Sequence, residues 1–252
     1  MFRAHRVVLA CGSCAYPQVT GTNTGYQLAK SLGHTIIPPH PVLSGLCLKE
    51  RALTRLSGIK CQVRTTAKTT PPASAEGELI FTNYGVNGPA VLNITHAVSC
   101  ALENGPVPME INFLPQLKDP KEFFNQRLKQ FGGRTPKNFF TGLLQDGIIN
   151  LLIDFKGLKK NTPLHAQDTQ RILDTLLAWP VTVTAMRPWQ EAMAAAGGVK
   201  VSEINYNTFE SRLCPGLFIT GELLDVDGQS GGFNLHFAWA SGYLAAQTIK
   251  EK

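Results

Sequence analysis

The chain has 252 residues, of which 43 % are hydrophobic and 17 % are charged. This composition is typical of a globular protein and excludes the disordered and fibrous classes. The formal charge is +6, but the basic residues are scattered and only Lys159 and Lys160 are adjacent. The charge pattern therefore predicts a solvated surface and no nucleic-acid partner.

The sequence contains no run of 18 or more apolar residues, so no membrane-spanning helix and no membrane partner are expected. The apolar run directly before Cys11 is only four residues long, which is too short for the core of a secretory signal. The cysteines are also too sparse for a secreted disulfide scaffold. We therefore expect a reducing, cytoplasmic location, or an organelle if a targeting segment precedes the chain.

The first predicted elements alternate between strand and helix. Residues 7–10 form a short apolar run that predicts a buried strand, followed by a turn at Gly12. Residues 25–32 carry a helical pattern, and residues 34–37 predict the next strand. Three prolines then predict a break in regular structure: Pro38, Pro39 and Pro41.

The middle of the chain, residues 43–186, has a different pattern. Short alternating runs predict strands at 59–63, 78–81, 109–114 and 181–184. Helical spacing predicts helices at 120–131, 136–145 and 166–177. Residues 81–90 form a dense polar turn, for which a structural role is favoured over a substrate-facing loop.

The α/β pattern returns near the end of the chain. Residues 189–196 predict a short helix that ends in a turn at Gly197 and Gly198, and residues 217–220 predict a buried strand. Residues 234–249 predict a helix with one apolar stripe, formed by Leu235, Ala238, Trp239, Gly242, Ala246 and Ile249. Residues 1–42 and 187–252 are therefore expected to form one discontinuous domain, into which residues 43–186 are inserted.

The segment 221–234 is the strongest candidate for a ligand site. It connects the buried strand to the last helix and contains four glycines and three acidic residues. Glycines allow a ligand to approach the backbone, and a helix N-terminus offers free amides to an anion or a carbonyl oxygen. Its spacing does not fit an EF-hand, although a plain glycine-rich turn stays an alternative.

Other motifs point to chemistry less specifically. Cys11 and Cys14 form a C-x-x-C pair after a strand, which is compatible with a redox dithiol or with two unrelated thiols on a turn. The six histidines lack metal-ligand spacing, so no metal site is expected. No catalytic acid, base or nucleophile can be assigned.

Three stretches together resemble the BaiN/YhiN-like (aminoacetone-oxidase-like) family of FAD/NAD(P)-dependent oxidoreductases. The first runs from residue 7 to Pro38 and resembles VVLATGG, SYP, GY and LGH in that order. The second, residues 81–92, resembles FTHYG-x-SGPA-x-L. The third and most specific comprises residues 197–199 and 210–234, including the Gly221–Glu222, 225–228 and 231–234 motifs.

The resemblance implies an α/β fold in which a Rossmann-like FAD-binding domain is interrupted by a β-barrel-like and small helical domain. It also implies FAD as cofactor, NAD(P)H as a candidate electron donor and a small-molecule substrate. The cofactor-binding residues that it implies are Ala10, Gly12, Gly221, Glu222, Asp227, Gly231, Gly232, Phe233 and Asn234.

The sequence also departs from this family. It contains no G-x-G-x-x-G motif, which holds the pyrophosphate in such domains, so we expect an N-terminally truncated, incomplete FAD-binding domain. The family's histidine and serine in the second stretch are Asn83 and Asn87 here. A non-catalytic remnant that no longer binds FAD, and a thiol redox protein that uses Cys11 and Cys14, therefore remain alternatives.

Overall fold

The computed structural model describes residues 4–19, 21–164 and 166–251. It divides into two compact units, one formed by the segments up to Gly45 and from Met186 onward, the other by Leu46–Ala185. The fold is mixed α/β, as the sequence predicted. None of the helices in the described ranges has the length and apolar character needed to cross a membrane.

The first unit contains two small sheets and two long helices. Its elements are β1 (Val7–Leu9), α1 (Thr24–Ser31), β2 (Ile36–Val42), β9 (Ala194–Val199), β10 (Leu217–Ile219) and α8 (Phe233–Glu251). Strands β1 and β10 are parallel, whereas β2 and β9 are antiparallel. Apolar side chains from α1, β10 and the 3₁₀ turn Gly221–Leu223 form a common core, which includes Tyr26, Phe218 and Leu223.

The second unit is built on a closed six-stranded barrel, which confirms the predicted insertion of a β-barrel. Its strands are β3 (Leu46–Leu48), β4 (Lys60–Ala67), β5 (Ala73–Phe81), β6 (Gly85–Asn87), β7 (Val107–Asn112) and β8 (Trp179–Met186). They close in the order β3-β6-β5-β4-β7-β8. Alternate residues of β7 (Val107, Met109 and Ile111) are buried, because successive side chains of a strand point to opposite faces.

Two glycines of the polar turn at 81–90 are required by the closure of the barrel. A Cβ at Gly85 would lie 2.3 Å from the carbonyl oxygen of Leu46, and one at Gly88 would lie 2.6 Å from the carbonyl oxygen of Glu78. Gly88 also has a φ of +96°, which side chains disfavour. These contacts support the structural interpretation of this turn.

Helices cover the barrel unit. They are α2 (Pro89–Leu92), α3 (Thr95–Leu102), α4 (Pro120–Phe131), α5 (Pro136–Phe140), α6 (Asp146–Lys156) and α7 (Ala166–Leu177). The predicted helices at 120–131 and 166–177 are confirmed. The helix predicted at 136–145 is wrong in extent, because α5 ends at Phe140 and α6 begins only at Asp146. Edge contacts between the rings of Phe124, Phe139 and Phe140 join α4 and α5.

Strands β2 and β9 correct two predictions. The prolines at 38, 39 and 41 do not end regular structure, because β2 belongs to a two-stranded sheet and its register shifts between Ile37 and His40. The helix predicted at 189–196 is wrong: only a 3₁₀ turn spans Trp189–Glu191, and Ala194–Val199 is a strand. Every residue of that strand is buried, so packing overrides the helical propensity of alanine.

Gly197 and Gly198 lie within β9 and do not form the predicted turn. A Cβ at Gly197 would lie 2.4 Å from the carbonyl oxygen of Pro38. Hydrogen bonds of His34 fix the segment just before β2, because its ring contacts Glu203 at 3.0 Å and Ser211 at 2.9 Å. Gly197 is therefore needed where β9 approaches β2, and Gly198 where β9 approaches the carbonyl oxygen of Leu223, from which its Cβ would lie 2.7 Å.

The apolar stripe predicted for the last helix coincides only in part with the buried face of α8. Leu235 is 72 % exposed and Trp239 is 81 % exposed, whereas Ser241 and Ala245 are buried. The prediction of the helix itself is confirmed, but only part of the stripe faces the core: Ala238 lies against Gly221 and Ile249 packs against the core, whereas Leu235 and Trp239 are exposed.

Candidate functional site

The candidate site begins where β1 and β10 end. The two strands are paired in parallel from Val7–Leu217 to Leu9–Ile219, so their carboxyl ends lie at the same edge. The amide of Thr220 donates to the carbonyl oxygen of Leu9 at 3.1 Å and continues this pairing. The loops that follow, residues 10–12 and 220–222, are therefore brought together, at the kind of edge where open α/β sheets bind ligands.

The backbone at this edge has unusual conformational requirements. Gly12 has a φ of +68° and Gly221 a φ of +67°, a region that suits glycine. No atom of the described residues lies within 4 Å of a Cβ built on Gly12, whereas one on Gly221 would contact Ala238 of α8 at 3.5 Å. Gly12 thus exposes open backbone, and Gly221 is the point at which α8 packs against the strand end.

Glu222 is the charged group of this edge. One of its carboxylate oxygens accepts a hydrogen bond from Ser13 Oγ at 2.8 Å, and the other accepts one from the amide of Ala195 at 3.0 Å. Burial raises the pKa of Glu222, the two hydrogen bonds oppose that rise, and the nearby carboxylate of Asp227 adds to it. Glu222 therefore joins three segments that are far apart in the sequence.

The segment at the start of α8 forms a closed loop. Asn234 Oδ1 accepts from the amide of Gly228 at 2.8 Å, and its Nδ2 donates to the carbonyl oxygen of the same glycine at 3.1 Å. Gly231 and Gly232 have φ values of +115° and +93°. The side chain of Phe233 is 62 % exposed. Asn234 thus fixes the conformation of the loop that carries the predicted glycines.

The predicted site residues are arranged in two groups. Ala10, Gly12, Gly221 and Glu222 meet at the strand edge, and the carboxylate of Asp227 is near enough to raise the pKa of Glu222. The predicted residues 231–234 lie instead at the beginning of α8. That helix reaches the strand edge further along, where Ser241 Oγ accepts a hydrogen bond from the amide of Gly221 at 2.9 Å.

Sequence reasoning missed two residues that complete the strand edge, Ser13 and Ala195. Ser13 Oγ also accepts a hydrogen bond from the amide of Ala15 at 3.1 Å. The position of Ser13, next to Gly12 after a strand, was a usable signal. Ala195 contributes only its backbone amide, for which the sequence carries no signal.

The C-x-x-C pair is not a disulfide, since Cys11 and Cys14 are both free thiols in the described structure. Cys11 packs against α1, where a Cβ at Gly25 would lie 2.6 Å from the Cys11 Cβ. Cys14 instead lies close enough to the buried hydroxyl of Tyr26 for each group to affect the pKa of the other. Burial raises the pKa of the Cys14 thiol and also that of Tyr26.

The residues of this chain match a known protein family over nearly their full length. The family described as HI0933-like protein Rossmann domain matches residues 1–248. The chain belongs to this family. The predicted resemblance to the BaiN/YhiN-like flavoprotein oxidoreductases is thereby confirmed.

The chain is also similar to three named relatives. A 3-dehydro-bile acid delta(4,6)-reductase of Clostridium scindens is 33 % identical over 259 residues, which cover 100 % of this chain and 63 % of the relative. A ribosomal RNA dihydrouridine synthase of Haemophilus influenzae is 30 % identical over 256 residues, which cover 100 % of this chain and 62 % of that relative. A ribosomal RNA dihydrouridine synthase of Escherichia coli K12 is 29 % identical over 250 residues, which cover 97 % of this chain and 60 % of that relative. The chain thus spans about three fifths of the length of these relatives.

Proposed function

We propose that this chain is the cofactor-carrying part of an FAD-dependent oxidoreductase that acts on a small organic substrate. The strand edge at Gly12, Gly221 and Glu222 is the observation that carries the proposal. It combines open backbone, a half-buried carboxylate and the end of a parallel pair of strands. Membership of the HI0933-like family supports the assignment of this edge to a flavin nucleotide.

The residues present fit part of FAD. The open backbone at Gly12 leaves room for a phosphate or ribityl group to approach without meeting a side chain. Glu222 would accept hydrogen bonds from sugar hydroxyls, with Asp227 beside it. The first amides of α8, next to Gly231 and Gly232, would face the electron-rich side of the flavin ring. FAD would supply hydride transfer, whereas these residues supply placement and electrostatics.

The relatives' names support a reduction as the reaction class. One relative is a reductase, and dihydrouridine, which the others make, differs from uridine by two added hydrogens. We therefore propose that the substrate carries a double bond conjugated to a carbonyl group, and that NAD(P)H provides the electrons. A redox reaction through Cys11 and Cys14 is less well supported, because Cys11 is packed against α1.

Binding of FAD to the purified chain tests the proposal. We expect the flavin absorbance to co-elute with the protein and a Gly12→Asn variant to bind FAD at least about tenfold more weakly. Asparagine tolerates the left-handed conformation, so the variant folds while its side chain fills the open space. Gly58→Asn is the matched control, since Gly58 also has a positive φ and open surroundings but lies in the barrel unit. Absence of bound FAD, or equal binding by the two variants, would contradict the proposal.

A further inference from the structure

A cavity of about 310 Å³ in the second unit is lined by several cationic side chains. They are Lys156 at the end of α6, Lys159 in the loop that follows, and Arg171 in α7. One described acidic residue, Asp168, also lines the cavity. The described lining therefore carries two more positive than negative charges, although its basic residues are separated in the sequence.

The acidic residues nearest in the sequence do not neutralise these cations. None of the three cations forms an ion pair with a carboxylate of the described residues. Asp154 pairs instead with Arg55 at 3.3 Å, and Asp174 accepts a hydrogen bond from the side chain of Gln170 at 2.7 Å. The positive charge of the cavity is thus available to an anion from outside the chain.

The ammonium group of Lys156 lies in an unfavourable place for a positive charge. Its side chain is partly buried, and this burial lowers the pKa of Lys156. The guanidinium of Arg171 lowers the pKa further, and the carboxylate of Asp174 opposes both effects only in part. Because two like charges repel each other beside one cavity, an anion bound between them would stabilise both.

Backbone hydrogen bonds fix the loop that forms one wall of the cavity, residues 157–164. At its start, the amide of Leu158 donates to the carbonyl oxygen of Ile153 in α6 at 2.9 Å. At its end, the amide of Leu164 donates to the carbonyl oxygen of Arg134 at 2.9 Å. The loop is therefore held at both ends before a ligand arrives, which lowers the entropic cost of binding.

We propose that this cavity binds a compact phosphate dianion, either inorganic phosphate or the monoester group of a small metabolite, through Lys156, Lys159 and Arg171. A phosphate monoester carries a charge of about −1.5 to −2 at neutral pH, which matches the excess positive charge of the described lining. The guanidinium of Arg171 offers parallel donors that suit two phosphate oxygens.

The size of the cavity favours a small ligand. Its volume of about 310 Å³ is at the lower end of the roughly 300–1,000 Å³ that is usual for small-molecule sites. A nucleic-acid strand would instead need an extended basic groove, which tracks several successive phosphates. The site lies in the second unit, whereas the strand edge assigned to the flavin lies in the first, so the inference goes beyond the proposed function.

Isothermal titration calorimetry of the full chain at low ionic strength tests the site, because salt screens exposed cations. The probes are inorganic phosphate and glycerol 3-phosphate, and we expect one saturable site. Arg171→Gln and Lys156→Gln should each weaken binding at least about tenfold, as expected for a charged hydrogen bond. Arg64→Gln is the matched control, since it removes the same charge from a residue outside the lining, and it should change the affinity less than about twofold.

Asp168→Asn provides a test in the opposite direction. It removes the one described carboxylate that lines the cavity, so phosphate binding should become at least about threefold tighter. A general loss of structure cannot produce this gain. The urea-unfolding midpoint of each variant reports whether it is folded. Tighter binding of glycerol 3-phosphate than of inorganic phosphate would support an ester as the ligand, and the reverse order would support the free ion.

Four outcomes would overturn the inference. They are no saturable binding of either probe, equal losses in Arg171→Gln and Arg64→Gln, unchanged or weaker binding by Asp168→Asn, and binding of a uridine oligonucleotide that depends on Arg171 and strengthens with each added nucleotide. The last outcome would assign the cationic cluster to a nucleic-acid strand.

Discussion

Removal of the Glu222 side chain is the most direct test of how the strand edge is held together. In Glu222→Ala, the amide of Ala195 loses its acceptor at a position that is fully buried. A buried, unpaired amide costs about 1–3 kcal/mol. Ser13 Oγ also loses its acceptor, although it still accepts a hydrogen bond from the amide of Ala15. The lost hydrogen bond to Glu222 therefore adds about 0.5–1.5 kcal/mol. We expect Glu222→Ala to lower the free energy of unfolding by about 1.5–4.5 kcal/mol.

Glu222→Gln is the matched control, because its amide keeps an oxygen for Ala195 and offers a donor to Ser13. It should cost less than about 1 kcal/mol. The assay is equilibrium unfolding in urea, followed by circular dichroism, with the slope compared between variants. A loss below about 0.5 kcal/mol in Glu222→Ala, or equal losses in the two variants, would refute the role given to these hydrogen bonds.

The same pair of proteins gives a pH test. The pKa of Glu222 in the folded chain is raised, first of all by burial, above the unfolded value of about 4.3. The folded state thus binds the proton more tightly, and the resulting stability is fully present below the unfolded pKa and is lost as pH rises through the folded pKa. Wild type should therefore lose stability relative to Glu222→Gln as pH rises from the unfolded pKa of about 4.3 through the raised folded pKa. A constant difference across this range would contradict the assignment.

Three further predictions concern the scaffold, each measured by urea unfolding. Gly88→Ala should cost at least about 2 kcal/mol more than Gly58→Ala, because both have a positive φ but only Gly88 would place a Cβ 2.6 Å from a carbonyl oxygen; equal costs would show that the barrel relaxes there. Burial raises the pKa of Glu203, but hydrogen bonds from Thr35 and His34 lower it by more, so the pKa in the folded chain is below the unfolded value of about 4.3. The ionised Glu203 therefore stabilises the fold above about pH 4.3, and this stabilisation should be lost as pH falls through the folded pKa. This acid-induced loss should be smaller in Glu203→Gln. Trp239→Ser should change stability by less than about 0.5 kcal/mol, because the side chain is 81 % exposed; a larger loss would mean that the ring is packed in solution.

The sequence predicted those elements whose pattern is local. The helices α4 and α7 were predicted with their observed bounds, because helical spacing is recognisable within a dozen residues. Asp119 indeed accepts a hydrogen bond from the amide of Glu122 at 2.9 Å and caps α4. Strand β10 was equally recognisable as a short apolar run that ends before a glycine.

The elements that failed are those decided by distant partners. Ala194–Val199 contains three alanines, which favour a helix locally, but pairing with β2 and complete burial make it a strand. The prolines of β2 similarly predicted a break in regular structure. They are tolerated because each strand of a two-stranded sheet is an edge strand, where a residue without an amide hydrogen can be accommodated. Neither outcome is encoded within a window of neighbouring residues.

The candidate site depends both on local sequence patterns and on contacts between distant segments. The sequence indicated which residue types follow the two strands, and parallel pairing of β1 with β10 places Gly12 next to Gly221. It did not indicate that Ser13, 209 residues away, and Ala195 would supply the donors to Glu222. Physical chemistry does require such donors, because a half-buried carboxylate without hydrogen bonds is strongly disfavoured. An acidic residue directly after a buried strand therefore predicts that partners exist, and only the fold determines which segments provide them.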